Sequence, residues 1–164
     1  MARTGISIDI PGFGLCKIDA ILTDYTGTLS RKGRLIPGVR DQLTKLAELV
    51  EIHVITADTF GLAQEELEGI PLTHQRLEGR NHDIQKREYG LRFDLRRAAA
   101  LGNGNNDRLL LKVVKEAGGV AVAVDNGEGC ATDALLNSNL FIVGAVNALD
   151  LLIEPNSCKA TLRS

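Results

Sequence analysis

Short runs of apolar, β-branched residues alternate with longer segments of helical periodicity along most of this chain. The runs at 52–56, 120–124 and 140–143 are each followed by a segment with helical features. This alternation is typical of parallel strands whose sheet is covered by helices on both faces. The sequence therefore predicts an α/β fold with a three-layer, doubly wound and mainly parallel sheet.

The predicted elements follow one another without an internal repeat or linker, so we expect a single domain over residues 1–164. An N-terminal β-hairpin begins at 6–10 and turns through Pro-Gly-Phe-Gly, and a strand at 18–23 runs into Asp24. Further strands are expected at 52–56, 72–77, 97–101, 120–124 and 140–143, and helices at 37–50, 62–68, 83–89, 105–116, 131–136 and 145–152. Residues after Glu154-Pro155 are expected to pack back or fray.

The charged residues and the cysteines exclude several classes of protein. The 164 residues include 19 Lys and Arg against 21 Asp and Glu, so the chain has no broad basic field that would attract nucleic acid or anionic lipid. Cys16, Cys130 and Cys158 lie far apart, which favours reduced thiols over a disulfide frame or a zinc site. No apolar run approaches the roughly 18 residues needed to span a bilayer. We therefore expect a cytoplasmic protein without nucleic-acid or membrane partners.

Polar segments follow three of the predicted strands at their carboxyl ends, where open α/β sheets bind their ligands. They are Asp-Tyr-Thr-Gly-Thr-Leu at 24–29, Thr-Ala-Asp-Thr at 56–59 and Gly-Asn-Gly-Asn-Asn-Asp at 102–107. A functional site is predicted where these segments meet.

In this order and topology, the three segments resemble those of the haloacid dehalogenase superfamily, and in particular the phosphorylation domain of P-type ATPases. The first segment is similar to that branch's Asp-Lys-Thr-Gly-Thr signature, and the third to its Gly-Asp-Gly-x-Asn-Asp. The resemblance covers almost the whole chain. It implies a Rossmann-like fold and a Mg²⁺-dependent phosphohydrolase, a phosphatase or an ATPase, that acts on a phosphorylated small molecule or another phosphate ester or anhydride.

Asp24 is the candidate nucleophile, because a carboxylate at a strand end can attack phosphorus and form an aspartyl-phosphate. Gly27 would let the loop backbone approach a phosphoryl group closely, and the Thr28 side chain would support the loop or contact phosphoryl oxygens. Asp24 could instead be an ordinary aspartate in a turn. The matching polar segments at the ends of two further strands favour a catalytic role. Tyr25 is expected to be exposed, either beside the substrate entrance or packed on the loop.

Two more catalytic residues are implied by the resemblance. Thr56 would donate a hydrogen bond to the transferring phosphoryl group, or else only cap its strand end. Lys86 is the only lysine between the second and third segments and would supply the fixed cation, although Arg80 or Arg87 could take its place. Asp58 is expected to cap the next helix rather than to take part in the chemistry.

The resemblance also implies a Mg²⁺ site. Asp24 and Asp107 would supply two carboxylates and Thr26 its backbone carbonyl. Asn103 and Asn106 would be neutral ligands or partners of ligands, with Gly102 as a support. The segment at 102–105 is equally a tight turn before a capped helix, and the two interpretations are compatible.

Two departures from the family pattern predict weak activity. Thr26 stands where many superfamily phosphatases carry an aspartate that protonates the leaving group. The P-type ATPase branch also has threonine at this position. Because general acid–base groups contribute about 10² to 10⁴-fold, we expect slow turnover, a preference for good leaving groups or a long-lived phosphoenzyme. Asn103 stands where aspartate is common, which weakens metal binding. A non-catalytic module that binds phosphate or metal is therefore the alternative hypothesis.

The spacing of the segments limits what else the chain can contain. Only 27 residues separate Thr28 from Thr56, and 29 separate Thr56 from Lys86, which leaves no room for a nucleotide-binding insertion or a substantial cap. We therefore expect a capless, open site that accepts large or varied substrates unless a homo-oligomer covers it. Carbon–halogen hydrolysis is less favoured, because an acidic loop that binds Mg²⁺ serves phosphate rather than halide.

Overall fold

A six-stranded sheet forms the centre of the computed structural model, which describes residues 2–164. All of its neighbouring strands are parallel, as predicted. In spatial order the strands are β10 (Leu140–Val143), β9 (Val120–Asp125), β8 (Ala98–Gly102), β3 (Ala20–Thr23), β6 (Glu51–Thr56) and β7 (Thr73–Arg76). The strand that precedes Asp24 is therefore flanked by the two strands that precede the other polar segments.

Helices cover both faces of this sheet and complete the predicted three layers. They are α1 (Val39–Leu49), α2 (Ala63–Leu67), α3 (His82–Gly90), α4 (Arg108–Ala117), α5 (Thr132–Leu136), α6 (Ala145–Ile153) and α7 (Pro155–Leu162). Helices α1, α2, α6 and α7 contribute to one apolar core, and α4 and α5 contribute to a second core on the opposite face. None of the helices in the described chain is long and apolar enough to cross a membrane.

Strand β8 confirms the strand predicted at 97–101, although a run of alanines favours a helix by propensity. It consists of three alanines, a leucine and a glycine, and all five residues are buried. Ala98 and Ala100 face the core beside α4, whereas Ala99 and Leu101 face the other core. Small side chains fit a strand that is buried on both faces, and parallel pairing with β3 and β9 satisfies the backbone.

The predicted N-terminal hairpin is present, as β1 (Ile6–Ile10) and β2 (Gly14–Ile18) in antiparallel register. The strand predicted at 18–23 is divided at Asp19, whose carboxylate forms an ion pair with Arg97 and whose amide donates to the Arg97 carbonyl. The C-terminal residues neither fray nor end the helical structure: they form α7, which packs back on β1 and buries Cys158. The sequence prediction ended the last helix at 152 and missed α7, although proline is well tolerated in a first helical turn.

A second small hairpin, absent from the sequence prediction, follows the first polar segment. Its strands are β4 (Ser30–Arg31) and β5 (Arg34–Leu35), which are too short to show any periodicity. The buried Tyr25 hydroxyl donates a hydrogen bond to the Gly33 carbonyl at 2.7 Å and so ties the hairpin to the loop. The expectation that Tyr25 is exposed was wrong, because its ring packs beneath this hairpin. In the described chain this hairpin is the only structure inserted between β3 and α1, in agreement with a capless fold.

Candidate functional site

The sheet brings the three polar segments to one edge. Thr23, the last residue of β3, is in register with Leu101 of β8 and with Val54 of β6. The Asp24 amide continues this ladder by donating to the Leu101 carbonyl at 3.0 Å. Asp24, the end of β8 and the end of β6 are therefore neighbours because adjacent parallel strands end at the same side.

Lys86 connects the first and third segments. Its Nζ atom lies 2.8 Å from Asp24 Oδ1 and 2.7 Å from Asp107 Oδ1. The three side chains are 1%, 4% and 1% exposed, respectively. The choice of Lys86 over its alternatives fits this geometry, because Arg87 pairs with Glu88 and Arg80 is exposed.

The burial of a lysine on a polar helix has a local cause. Helix α3 packs closely on α4, and a Cβ atom on Gly90 would lie only 2.5 Å from Leu110 Cδ1. Glycine at this position allows the close approach that carries the Lys86 side chain inside. Burying an ammonium group without partners is costly, and the two carboxylates offset that cost.

The cluster of Asp24, Asp107 and Lys86 has one excess negative charge, because two carboxylates share one ammonium group. Burial and the nearby Asp107 carboxylate raise the pKa of Asp24 to about 6, although Lys86 opposes this shift. Burial alone would lower the pKa of Lys86, but the carboxylates of Asp107 and Asp24 outweigh it and raise that pKa. The ammonium therefore stays charged, while Asp24 takes up a proton more readily than an ordinary aspartate.

Asp107 is held in place by the backbone of its own loop. Its Oδ2 atom accepts hydrogen bonds from the amides of Asn103 at 3.0 Å and Gly104 at 2.9 Å. Gly102 lies so close that a Cβ atom there would be 2.4 Å from the Asp107 side chain. The segment is thus the predicted tight turn, and this turn aims Asp107 Oδ1 at Lys86. Asn106 is half-buried, and its Oδ1 would lie 2.9 Å from a Cβ atom on Gly104.

Asn103 contacts the loop that follows Asp24. The Thr28 hydroxyl donates to Asn103 Oδ1 at 3.2 Å, and the Asn103 amide donates to the Gly129 carbonyl at 3.3 Å. Gly27 has φ 77°, and a Cβ atom there would lie 2.3 Å from Asn103 Nδ2. The Asn103 side chain therefore supports the loop. In the same loop the Thr26 hydroxyl is buried and has no hydrogen-bond partner among the described residues.

Thr56 and Asp58 form a turn at the end of β6. The Asp58 amide donates to Thr56 Oγ1 at 3.0 Å, and Asp58 Oδ1 accepts from the amides of Leu62 and Ala63 at 3.1 Å. The carboxylate of Asp58 thus satisfies amides at the start of α2, as expected of a capping residue. A hydroxyl that accepts one hydrogen bond can still donate another, so the predicted phosphoryl contact of Thr56 stays a prediction.

Asn126 was missed by sequence reasoning and lies at the end of a fourth strand, β9. Its side-chain amide donates to the carbonyls of Gly27 at 3.1 Å and Thr28 at 2.7 Å, and its Oδ1 accepts from the Ala145 amide at 2.7 Å. Asn126 therefore fixes the loop after Asp24 to the start of α6. The polar Asp-Asn-Gly sequence at 125–127, which begins with the last residue of β9, was the available signal.

The edge is suited to a hard cation, although no three His, Cys, Asp or Glu side chains in residues 2–164 form a group that could hold a metal. Mg²⁺ needs only one or two protein carboxylates, with carbonyls, waters and substrate phosphate as the other ligands. Asp24 and Asp107 offer such oxygens, and a divalent cation would neutralise their excess negative charge. The donor set of Asp24, Asp107 and the Thr26 carbonyl therefore fits Mg²⁺.

No known protein-family profile matches the chain. Two uncharacterized proteins of Methanocaldococcus jannaschii are similar in sequence. One is 41% identical over 64 residues, which are 39% of this chain and 64% of that protein. The other is 44% identical over 42 residues, which are 26% of this chain and 96% of that protein. The chain thus covers just under two-thirds of the first relative and nearly all of the second.

Solved structures of sugar-phosphate phosphatases and of a haloacid dehalogenase-like hydrolase are similar in fold. The cobalt-bound deoxy-D-mannose-octulosonate 8-phosphate phosphatase of Haemophilus influenzae has a TM-score of 0.62 and 12% identity, covering 90% of this chain and 94% of that one. The Moraxella catarrhalis 3-deoxy-D-manno-octulosonate 8-phosphate phosphatase, solved with magnesium, phosphate and KDO, has a TM-score of 0.58 and 17% identity over 89% and 94%. A haloacid dehalogenase-like hydrolase of Streptococcus pneumoniae has a TM-score of 0.54 and 14% identity over 81% and 97%.

Proposed function

We propose that this chain hydrolyses phosphate esters or anhydrides through Asp24 with the help of Mg²⁺. The chain belongs to the same family as the uncharacterized Methanocaldococcus jannaschii protein to which it is 44% identical over 42 residues, and its fold is haloacid dehalogenase-like. One observation carries this proposal. Lys86 Nζ lies within hydrogen-bond distance of both Asp24 and Asp107 at the carboxyl edge of the sheet. A lysine is seldom buried without a role, and here it joins the two carboxylates that the resemblance assigns to the chemistry.

Asp24 is the nucleophile in this proposal. One of its carboxylate oxygens forms a bond to phosphorus as the bond from phosphorus to the leaving-group oxygen breaks, and water then hydrolyses the aspartyl-phosphate. The carboxylate must be ionised to attack. The Lys86 ammonium favours that form, and its hydrogen bond fixes the direction of the Asp24 side chain.

Phosphoryl transfer depends mostly on positioning and charge. Lys86 would face the phosphoryl oxygens when Asp24 reacts. The backbone at Gly27 and the Thr28 hydroxyl would line the loop around these oxygens, and the Thr56 hydroxyl would donate a hydrogen bond to one of them. Asn126 holds the carbonyls of Gly27 and Thr28 and thereby fixes the orientation of that loop.

Asp24, Asp107 and the Thr26 carbonyl would hold Mg²⁺, with Asn103 and Asn106 beside them. The ion supplies charge neutralisation for the phosphoryl oxygens. Two related folds carry divalent metals in their solved structures, magnesium in one and cobalt in another, which supports this assignment. The hydrogen bonds of Asn103 favour a supporting role over direct ligation.

Thr26 sets the expected rate. Its side chain has no carboxyl group that could protonate a leaving group, so esters of weakly acidic alcohols should react slowly and acyl phosphates faster. The likeness to P-type ATPases rests on the segments at 24–29, which include this threonine, and at 102–107, and it is part of the proposal. We also propose a cytoplasmic location, which the three free cysteines favour.

The experiment is a turnover assay with p-nitrophenyl phosphate, acetyl phosphate and ATP, each in Mg²⁺ or in EDTA. Asp24→Asn removes the nucleophile, and Asp41→Asn is the matched control because Asp41 is exposed on α1. We expect Mg²⁺-dependent turnover in the wild type and in Asp41→Asn, with none in Asp24→Asn. Equal turnover in both variants would show that Asp24 is not the nucleophile.

A non-catalytic binding module is the second candidate, favoured by the neutral Asn103 and the unpartnered Thr26 hydroxyl. It predicts thermal stabilisation by Mg²⁺ with a phosphate analogue such as vanadate, but no hydrolysis of any of the three substrates. Turnover that depends on Asp24 rejects it.

A further inference from the structure

A cavity of about 590 Å³ adjoins the loop that follows Asp24. It lies between the β4–β5 hairpin, the start of α1 and the ends of β9 and β10. One wall is Asn126, the same residue whose amide holds the Gly27 and Thr28 carbonyls. Its volume is typical of a small-molecule site. The cavity therefore shares Asn126 with the loop on which the proposed phosphoryl site is built.

The cavity has an apolar wall that the fold leaves uncovered. Leu35, Ile36, Pro37 and Val143 line it, and Val143 is 63% exposed. A β-branched apolar residue at the open end of a parallel strand gains stability when an organic group covers it. The wall thus favours a ligand with a carbon skeleton rather than inorganic phosphate alone.

Arg31 supplies an unpaired positive charge at the same cavity. Its guanidinium lies over Gly127, where an added Cβ atom would be 3.5 Å from Arg31 Cζ. Within residues 2–164 it forms neither a salt bridge nor a hydrogen bond, whereas Arg34 in the same cavity pairs with Glu66 at 2.9 Å. The cavity's one carboxylate belongs to Asp125, whose Oδ1 accepts hydrogen bonds from the amides of Gly127 and Gly129.

Resting on the proposed function, we propose that Arg31 selects phosphate esters whose leaving group carries a second anionic group, a carboxylate or another phosphate. An arginine guanidinium binds either group with two parallel hydrogen bonds. The phosphoryl group would lie at Asp24, the carbon skeleton would pass Asn126 along the apolar wall, and the second anion would meet Arg31. Arg31 is thus a specificity residue outside the catalytic machinery.

The test compares substrates that differ by one anionic group. The pairs are 3-phosphoglycerate with glycerol 3-phosphate for a carboxylate, and fructose 1,6-bisphosphate with fructose 6-phosphate for a second phosphate. Arg31→Gln removes the charge, and Lys32→Gln is the matched control because Lys32 is exposed on the same hairpin but does not line the cavity. For each protein, kcat/KM is measured in Mg²⁺, and ligand-induced thermal stabilisation is measured with Asp24→Asn as the background.

We expect the wild type and Lys32→Gln to prefer the member with the second anionic group in at least one pair by about tenfold. Arg31→Gln should lose that preference, while its rate with the member that has only one phosphate is unchanged. The pair that shows the preference identifies carboxylate or phosphate. An equal preference in Arg31→Gln, or none in the wild type, overturns the proposal although turnover through Asp24 still stands. If no substrate is turned over, the proposed function fails, and Arg31-dependent stabilisation by the ligands with a second anionic group still decides whether this cavity binds them.

Discussion

Replacing Lys86 by methionine tests the buried charge cluster that defines the site. Methionine keeps most of the side-chain volume but removes the ammonium, so Asp24 and Asp107 are left facing one another almost without solvent. Removing one partner of a buried ion pair typically destabilises a protein by about 3–5 kcal/mol. We expect a loss of this size in metal-free buffer at about pH 8, which lies above the wild-type Asp24 pKa of about 6.

The loss should depend on pH in a defined direction. The folded-state pKa of Asp24 is raised to about 6 in the wild type, and loss of the ammonium removes the main opposing influence and raises it further. A group with a raised pKa binds its proton more tightly in the folded state, so its contribution to stability is complete below the unfolded pKa and is lost as pH rises through the folded one. The cost of Lys86→Met should therefore be smaller at about pH 5 than at about pH 8.

Urea denaturation in EDTA at the two pH values measures this cost. Lys112→Met is the control, because Lys112 is 52% exposed and its contact with Glu116 is 3.9 Å long, so we expect a change within about 0.5 kcal/mol. Adding Asp24→Asn to Lys86→Met leaves a single carboxylate and should recover part of the loss. If Lys86→Met matches Lys112→Met at both pH values, the electrostatic reasoning for this cluster is wrong.

Three further predictions follow from individual contacts. Gly27→Ala should lower the free energy of unfolding by more than Gly61→Ala. Both positions have positive φ, but only a Cβ atom at Gly27 would meet a neighbour, Asn103 Nδ2 at 2.3 Å. Equal losses in urea denaturation would show that this contact does not add to the cost. Asn126→Ala should lower the free energy of unfolding by about 1–3 kcal/mol and should also lower Mg²⁺-dependent turnover. The control is Asn147→Ala, which removes an exposed side chain that donates to the Val143 carbonyl and should leave turnover unchanged. Thermal stabilisation by Mg²⁺ should weaken as pH falls through about 6, because protons then compete with the metal for the Asp24 carboxylate. A stabilisation that does not change with pH would show that Asp24 is not a ligand of the metal.

The sequence predicted the central part of the site because parallel strands align their carboxyl ends. Asp24 and the loop that begins at Gly102 needed only a correct strand assignment to become neighbours. Lys86 required a different kind of inference, since no local pattern marks a buried lysine on a polar helix. Its identification came from the family order of motifs, and the close packing of α3 on α4 at Gly90 supplies the physical reason.

Other features depend on contacts between segments far apart in sequence. Asn126 acts through hydrogen bonds to carbonyls at Gly27 and Thr28, nearly a hundred residues earlier, and a single asparagine in a turn does not reveal such partners. Tyr25 is buried because the two-residue strands of β4 and β5 fold over it, and strands this short leave no periodic signal. The C-terminal helix forms because β1 offers α7 a surface to pack on, a contact that propensity alone does not show.

The central claim, that Asp24 becomes phosphorylated, is tested most directly by trapping the intermediate. The protein is mixed with acetyl phosphate and Mg²⁺, quenched in acid, reduced with borohydride and mapped by peptide mass spectrometry. An aspartyl-phosphate is converted by this treatment to homoserine, so the account predicts homoserine at position 24, dependent on Mg²⁺ and absent in Asp24→Asn. Turnover of acetyl phosphate with homoserine at another position, or with an unaltered Asp24 throughout the reaction, would contradict it.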